Sequence, residues 1–144
     1  RGGGLGERIA AAHLDTAALL AGRATLQVGM DTPQAGPALL AACLERLGEP
    51  GTDGVLGLAT DGGWWAMGLR DPRAAELVAR VPTSRDDTGE RTLRALRDAG
   101  LRIALLPELT DVDTAADARA VADAAPDGRF AAAVAGCPAF VAAT

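Results

Sequence analysis

Apolar and polar positions alternate in two rhythms along the chain, and the switches between them mark the elements. Leu39, Leu40, Cys43, Leu44 and Leu47 recur at helical spacing behind Pro37 and stop at Gly48, the asymmetry expected of a helix over 37–47. Ala24–Met30 is short, partly β-branched and broken by Pro33, so it predicts a strand that delivers Asp31 at its carboxyl end. Val55–Ala59 and the apolar segment Trp64–Leu69 read as strands flanking the tight loop Thr60-Asp61-Gly62-Gly63. Leu101–Leu106, interrupted only by Arg102 and closed by Pro107, reads as a buried strand.

Helical patterns fill the intervals. Glu7–Leu14 and Asp15–Ala21 read as two short helices, the second capped by Asp15 or Thr16. Pro72–Ala79 and Thr88–Ala99 follow, the latter with Thr88 as N-cap and Gly100 as stop. An Ala-rich helix is expected over 115–125, then a final helical stretch after Pro126-Asp127-Gly128, with 136–144 a peripheral tail. Helix and strand in this order predict one α/β domain over 1–144, with a mostly parallel sheet and helices on both faces.

Composition narrows the function. No apolar run approaches the roughly 20 residues that span a bilayer, and no signal peptide opens the chain, so a cytoplasmic protein without a membrane span is expected. Fourteen basic against 19 acidic residues give a net charge of -5 with no basic stripe, which argues against nucleic acid as a partner. Every basic residue is Arg, and Lys, Asn and Tyr are absent, a bias that GC-rich bacterial codons favour. Cys43 and Cys137 lack the CxxC spacing of a zinc or redox site and are expected to be free thiols.

Three acidic loops each lie just past a predicted strand: Asp31, Asp61, and Asp111 with Asp113. Ligands of open α/β sheets bind outside the carboxyl ends of strands, and carboxylates converging there suit Mg²⁺ or Mn²⁺ shared with substrate phosphates. The alternative is local: Asp31 starts an Asx turn before Pro33, and Asp113 or Thr114 caps the next helix. Gly2-Gly3-Gly4-Leu5-Gly6 offers backbone N–H groups to a phosphate or base, yet it fits neither a P-loop nor a Rossmann fingerprint. His13, among Ala and Leu, reads as a helix-surface residue rather than a catalytic one. Of Trp64 and Trp65, alternation sends one to the core and the other to the opposite layer or the cleft, where it can stack on a sugar or base. Arg85-Asp86-Asp87 with Glu90 and Arg91 reads most simply as a solvated loop and helix start; the alternative puts Arg85 at the cleft rim, where with Thr83, Ser84 and Thr88 it can meet a phosphate.

Four segments in order, Gly3-Gly4-Leu5-Gly6-Glu7-Arg8-Ile9, Gly29-Met30-Asp31-Thr32-Pro33-Gln34, Asp61-Gly62-Gly63-Trp64-Trp65-Ala66-Met67-Gly68-Leu69 and Leu105–Thr114, resemble a bacterial family of uncharacterised GT-A-like glycosyltransferases. That family is often described as arsenosugar biosynthesis glycosyltransferases, within the nucleotide-diphospho-sugar transferase superfamily. The resemblance implies a Rossmann-like GT-A fold and a metal, Mg²⁺ or Mn²⁺, between Asp31 and Asp113. It implies nucleotide contacts at Gly4, Leu5, Gly6 and Asp31, and acceptor contacts at Asp61, Gly62, Gly63 and Trp65, with Asp61 the candidate catalytic base. The family's opening strand and basic phosphate-holding loop have no counterpart here, so the domain is expected to be N-terminally incomplete. Where relatives carry a Trp after the acceptor loop, this chain has Val81-Pro82-Thr83-Ser84-Arg85-Asp86.

The implied activity is a metal-dependent glycosyltransferase moving sugar from a nucleotide diphosphate to a small-molecule acceptor. Two alternatives share the fold: a cytidylyl- or guanylyl-type nucleotidyltransferase, and a non-catalytic nucleotide-binding protein.

Overall fold

A computed structural model describes residues 3–141. Four strands, β1 (Thr25–Val28), β2 (Gly54–Leu58), β3 (Trp64–Leu69) and β4 (Ile103–Leu105), form one sheet in the order β1-β3-β2-β4. β3 runs antiparallel to both β1 and β2, and only β2 and β4 are parallel. The sheet is therefore mixed, not mostly parallel as the alternation of elements predicts. The reason lies between Leu58 and Trp64, where five residues suffice for a hairpin but fall far short of the dozen or more that a parallel crossover needs. Gly62, at φ +90°, turns that hairpin, its N–H donating to the Ala59 carbonyl at 3.0 Å.

Helices cover both faces, as expected. On one side α1 (Leu5–Leu19), a 3-10 helix (Pro72–Val78) and α3 (Thr88–Asp98) enclose a core of Ile9, Leu56, Met67, Leu69, Val78 and Leu96. On the other, α2 (Pro37–Gly48) packs Cys43 with Trp65 and Ala66, flanked by Leu39, Leu40 and Leu106. Cys43 and Cys137 are free thiols, Cys43 buried and Cys137 half-buried. The chain continues through α4 (Ala115–Ala124), α5 (Arg129–Ala135) and α6 (Pro138–Val141), where the Arg119 guanidinium sits 5.1 Å from the Phe140 ring centre. Among the described residues no helix is long and apolar enough to cross a membrane.

Several local expectations shift for identifiable reasons. α1 is one helix, because the Thr16 hydroxyl donates to the Ala12 carbonyl at 2.8 Å and so is satisfied without breaking the turn. His13 lies on the buried side of that helix at 2% exposure, not on its surface. Its Nδ1 is 2.6 Å from the Thr25 hydroxyl, and burial pulls its pKa down. Asp87 holds the cap position of α3, and Thr88 is its first residue; the Thr88 hydroxyl points back into the preceding turn. The segment after Asp71 is a 3-10 helix, entered through Pro72 and capped by Asp71, which accepts from the Arg73 N–H at 3.0 Å.

The pairing of β2 with β3 slips between Gly57 and Leu58: Gly57 stands opposite Ala66, whereas Leu58 stands opposite Trp64. Trp65 is the extra residue of this bulge, and the slip breaks the alternation of side chains. Trp65 joins Ala66 on the α2 side while Trp64 packs toward the other core. The Trp65 indole lies on Gly57, where a Cβ would overlap it, and its N–H donates to the Pro107 carbonyl at 2.9 Å. Gly57→Ala is therefore expected to destabilise the protein by about 1–3 kcal/mol through overpacking. Urea denaturation followed by tryptophan fluorescence checks this, and an unchanged midpoint contradicts the packing.

Candidate functional site

The site sits where β1, the β2–β3 hairpin and the segment after β4 end together. β1 hands on to Gly29, whose N–H donates to the Trp65 carbonyl at 2.7 Å, and Asp31 follows two residues later. β4 keeps its alignment with β2 past its own end: Leu106 N–H donates to the Leu56 carbonyl at 2.9 Å and Leu109 N–H to the Leu58 carbonyl at 3.2 Å. Two crosslinks then clamp 110–112 onto the Asp31 loop. Val112 N–H donates to the Asp31 carbonyl at 2.9 Å, and the Gln34 amide donates to the Thr110 carbonyl at 2.5 Å.

These contacts bring Asp31, Asp111 and Asp113 into one cluster whose carboxylate oxygens lie within 4.8 Å of one another. Asp31 and Asp113 are exposed and Asp111 half-buried. Partial burial pushes the Asp111 carboxyl above the usual range, and the neighbouring charges of Asp61, Asp113 and Asp31 push the same way. The capping alternative holds for Thr114, which closes a capping box with Asp117, accepting from its N–H at 3.2 Å. The cap of α4 thus falls on Thr114, and the Asp113 carboxylate takes its place in the acidic cluster.

Beside the cluster opens a cavity of about 510 Å³. Asp31, Asp61 and Gly63 line it at the strand ends, Trp64 and Leu5 supply apolar wall, and Thr83, Ser84, Arg85 and Thr88 line it from the turn before α3. Asp61 Oδ1 accepts from the Gly63 N–H at 2.7 Å, which fixes the carboxylate across its own turn.

The other expected contacts are placed differently. Gly4 is the N-cap of α1 and Gly6 packs against the carbonyl of Ala79, so of that segment Leu5 alone faces the cavity. Gly62 turns its back on the cavity and presses against the backbone of Asp86. Trp65, expected against the acceptor, is 1% exposed beneath α2, and the bulge gives the cavity wall to Trp64 instead. Asp111 is the cluster member that the resemblance passes over. Its signal is the spacing Asp111-Val112-Asp113, since residues two apart share one side of an extended chain.

Residues 1–85 match the family described as "Uncharacterized protein conserved in bacteria (DUF2064)". No protein of curated function matches the chain. Among solved structures, the chain is similar to a Desulfovibrio desulfuricans G20 protein described as a "putative nucleotide-diphospho-sugar transferase". The two share 28% identity and superpose with a TM-score of 0.70 over 79% of this chain. The match takes in 48% of the other protein, so this chain spans about half its length.

A carboxyl whose pKa is raised on folding binds its proton more tightly in the folded state, so it opposes folding increasingly as the pH rises above its ordinary value, and in full above the raised one. Asp111→Asn is therefore expected to raise the melting temperature of the metal-free protein at pH 7. The gain should shrink as the pH falls toward 3.8, the ordinary carboxyl value, where wild type is protonated as well. Thermal unfolding across that range checks it, and a gain independent of pH contradicts the electrostatic origin.

Proposed function

Because this chain belongs to the bacterial DUF2064 family and shares the fold of a nucleotide-diphospho-sugar transferase, we propose that it forms the donor-binding part of a metal-dependent glycosyltransferase. The observation that carries this reading is the meeting of Asp31, Asp111 and Asp113 in one cluster, of which Asp31 also lines a cavity large enough for a small molecule. Three carboxylates are a hard-oxygen donor set suited to Mg²⁺ or Mn²⁺, and their mutual repulsion is what a divalent cation relieves. Such a cation, when bound, offsets the charge of the donor diphosphate and favours its departure as a leaving group.

The chain's own residues do the rest. Asp31, Asp111 and Asp113 hold the cation, Leu5 offers an apolar face to the base, and Trp64 offers a ring to a sugar. Asp61, held by the Gly63 N–H, faces the acceptor side, where its free oxygen can take the proton of an attacking hydroxyl. Its partners are a nucleotide sugar and a small-molecule acceptor.

Calorimetric titration with a panel of nucleotide sugars, nucleoside diphosphates and triphosphates, with and without Mn²⁺, tests the reading. Metal-dependent preference for a nucleotide sugar is expected. Asp31→Ala and Asp113→Ala should each remove the metal-dependent part of binding while leaving the circular dichroism unchanged. Preference for a triphosphate, or binding indifferent to Mn²⁺ in wild type, overturns it.

A further inference from the structure

Arg85 is the one cationic side chain among the described residues that line the cavity. Its only ion pair among the described residues is a long one, Nε to Asp87 Oδ1 at 3.3 Å, while Arg91 holds the other oxygen of Asp87 at 2.6 Å. Two guanidinium groups share the one Asp87 carboxylate, and among the described residues no ion pair engages the terminal nitrogens of Arg85, which are available to a ligand.

Arg85 is also held in place. The Thr88 hydroxyl accepts from the Arg85 N–H at 3.2 Å and donates to the Pro82 carbonyl at 3.1 Å. Gly62 fits only because it has no Cβ to meet the Asp86 carbonyl, and Gly89 N–H donates to the Gly62 carbonyl at 2.8 Å. The turn bearing Arg85 is thus docked on the turn bearing Asp61, so guanidinium and carboxylate face the same space from one unit. Trp64 and Ile9 line the same cavity, and the Oε1 of Gln27, a residue that lines this cavity and a neighbouring one, is buried with no partner among the described residues. A buried acceptor of that kind costs stability until a donor reaches it.

We propose that the acceptor taken by this cavity is a small hydroxylated molecule carrying an anionic group, carboxylate or phosphate, bound by Arg85. Its apolar body lies against Trp64, and a hydroxyl reaches the Asp61 and Gln27 end. The assignment of this cavity to the acceptor rests on the glycosyltransferase reading, whereas the preference for an anion rests on Arg85 alone.

Titrating phenyl phosphate, benzoate and their neutral counterpart benzyl alcohol into the full chain tests it, with Arg85→Gln and the cavity-remote Arg94→Gln alongside. The anionic probes are expected to bind about tenfold or more tighter than benzyl alcohol, a margin that Arg85→Gln erases and Arg94→Gln keeps. Which of phosphate and carboxylate binds better names the anion. Equal binding of charged and neutral probes, or a margin that survives Arg85→Gln, overturns the proposal. So does loss of nucleotide-sugar binding in Arg85→Gln, which would give Arg85 to the donor. Mn²⁺-dependent nucleotide-sugar binding by wild type separates the two ideas. If it is present without an anion margin, the anionic acceptor alone falls; if it is absent while the Arg85-dependent margin holds, the transferase reading falls and the anion site remains.

Discussion

Carboxylates repel one another, and Asp31, Asp111 and Asp113 lie close together because backbone hydrogen bonds hold them there. The donation from Val112 N–H to the Asp31 carbonyl ties the two loops, and the β2–β4 alignment that persists to Leu109 brings the second loop into reach. Two other features depend on the same constraint. The Pro107 carbonyl anchors the Trp65 indole, so the core beneath α2 and the start of the acidic segment share one hydrogen bond. The raised pKa of Asp111 comes first from its partial burial and then from the neighbouring carboxylates, so this carboxyl resists ionising.

The hairpin sets the other half of the site. Its five-residue connection forces β3 antiparallel to β2, and its glycines allow the turn at Asp61 to dock against the turn before α3. The cavity is consequently lined by Asp31 and Asp61 from the strand termini, by Trp64, and by Arg85 from the turn docked on the hairpin.

Much of this was legible in the sequence, for reasons that are local. Pro37 and Gly48 bracket α2, and the break at Pro33 announces the delivery of Asp31; both follow from dihedral preference alone. Strand direction was less legible, because alternation of helix and strand suggests parallel pairing while the link length between β2 and β3 forbids it. The exchange of Trp64 for Trp65 was hidden for a different reason: a bulge shifts a side chain to the other face without changing any residue. His13 was misjudged because burial depends on where α1 packs, and only β1 supplies Thr25 to meet it. Asp113 was separable from a capping role only once Thr114 and Asp117 were seen to close the box themselves.

The central claim is that the three carboxylates are a cation site facing a nucleotide. Crystals grown with Mn²⁺ and a nucleoside diphosphate, measured at the manganese absorption edge, test it most directly. The predicted result is an anomalous peak enclosed by Asp31, Asp111 and Asp113, with the diphosphate oxygens completing its coordination. A peak elsewhere, or a nucleotide bound with no peak at that cluster, would contradict it.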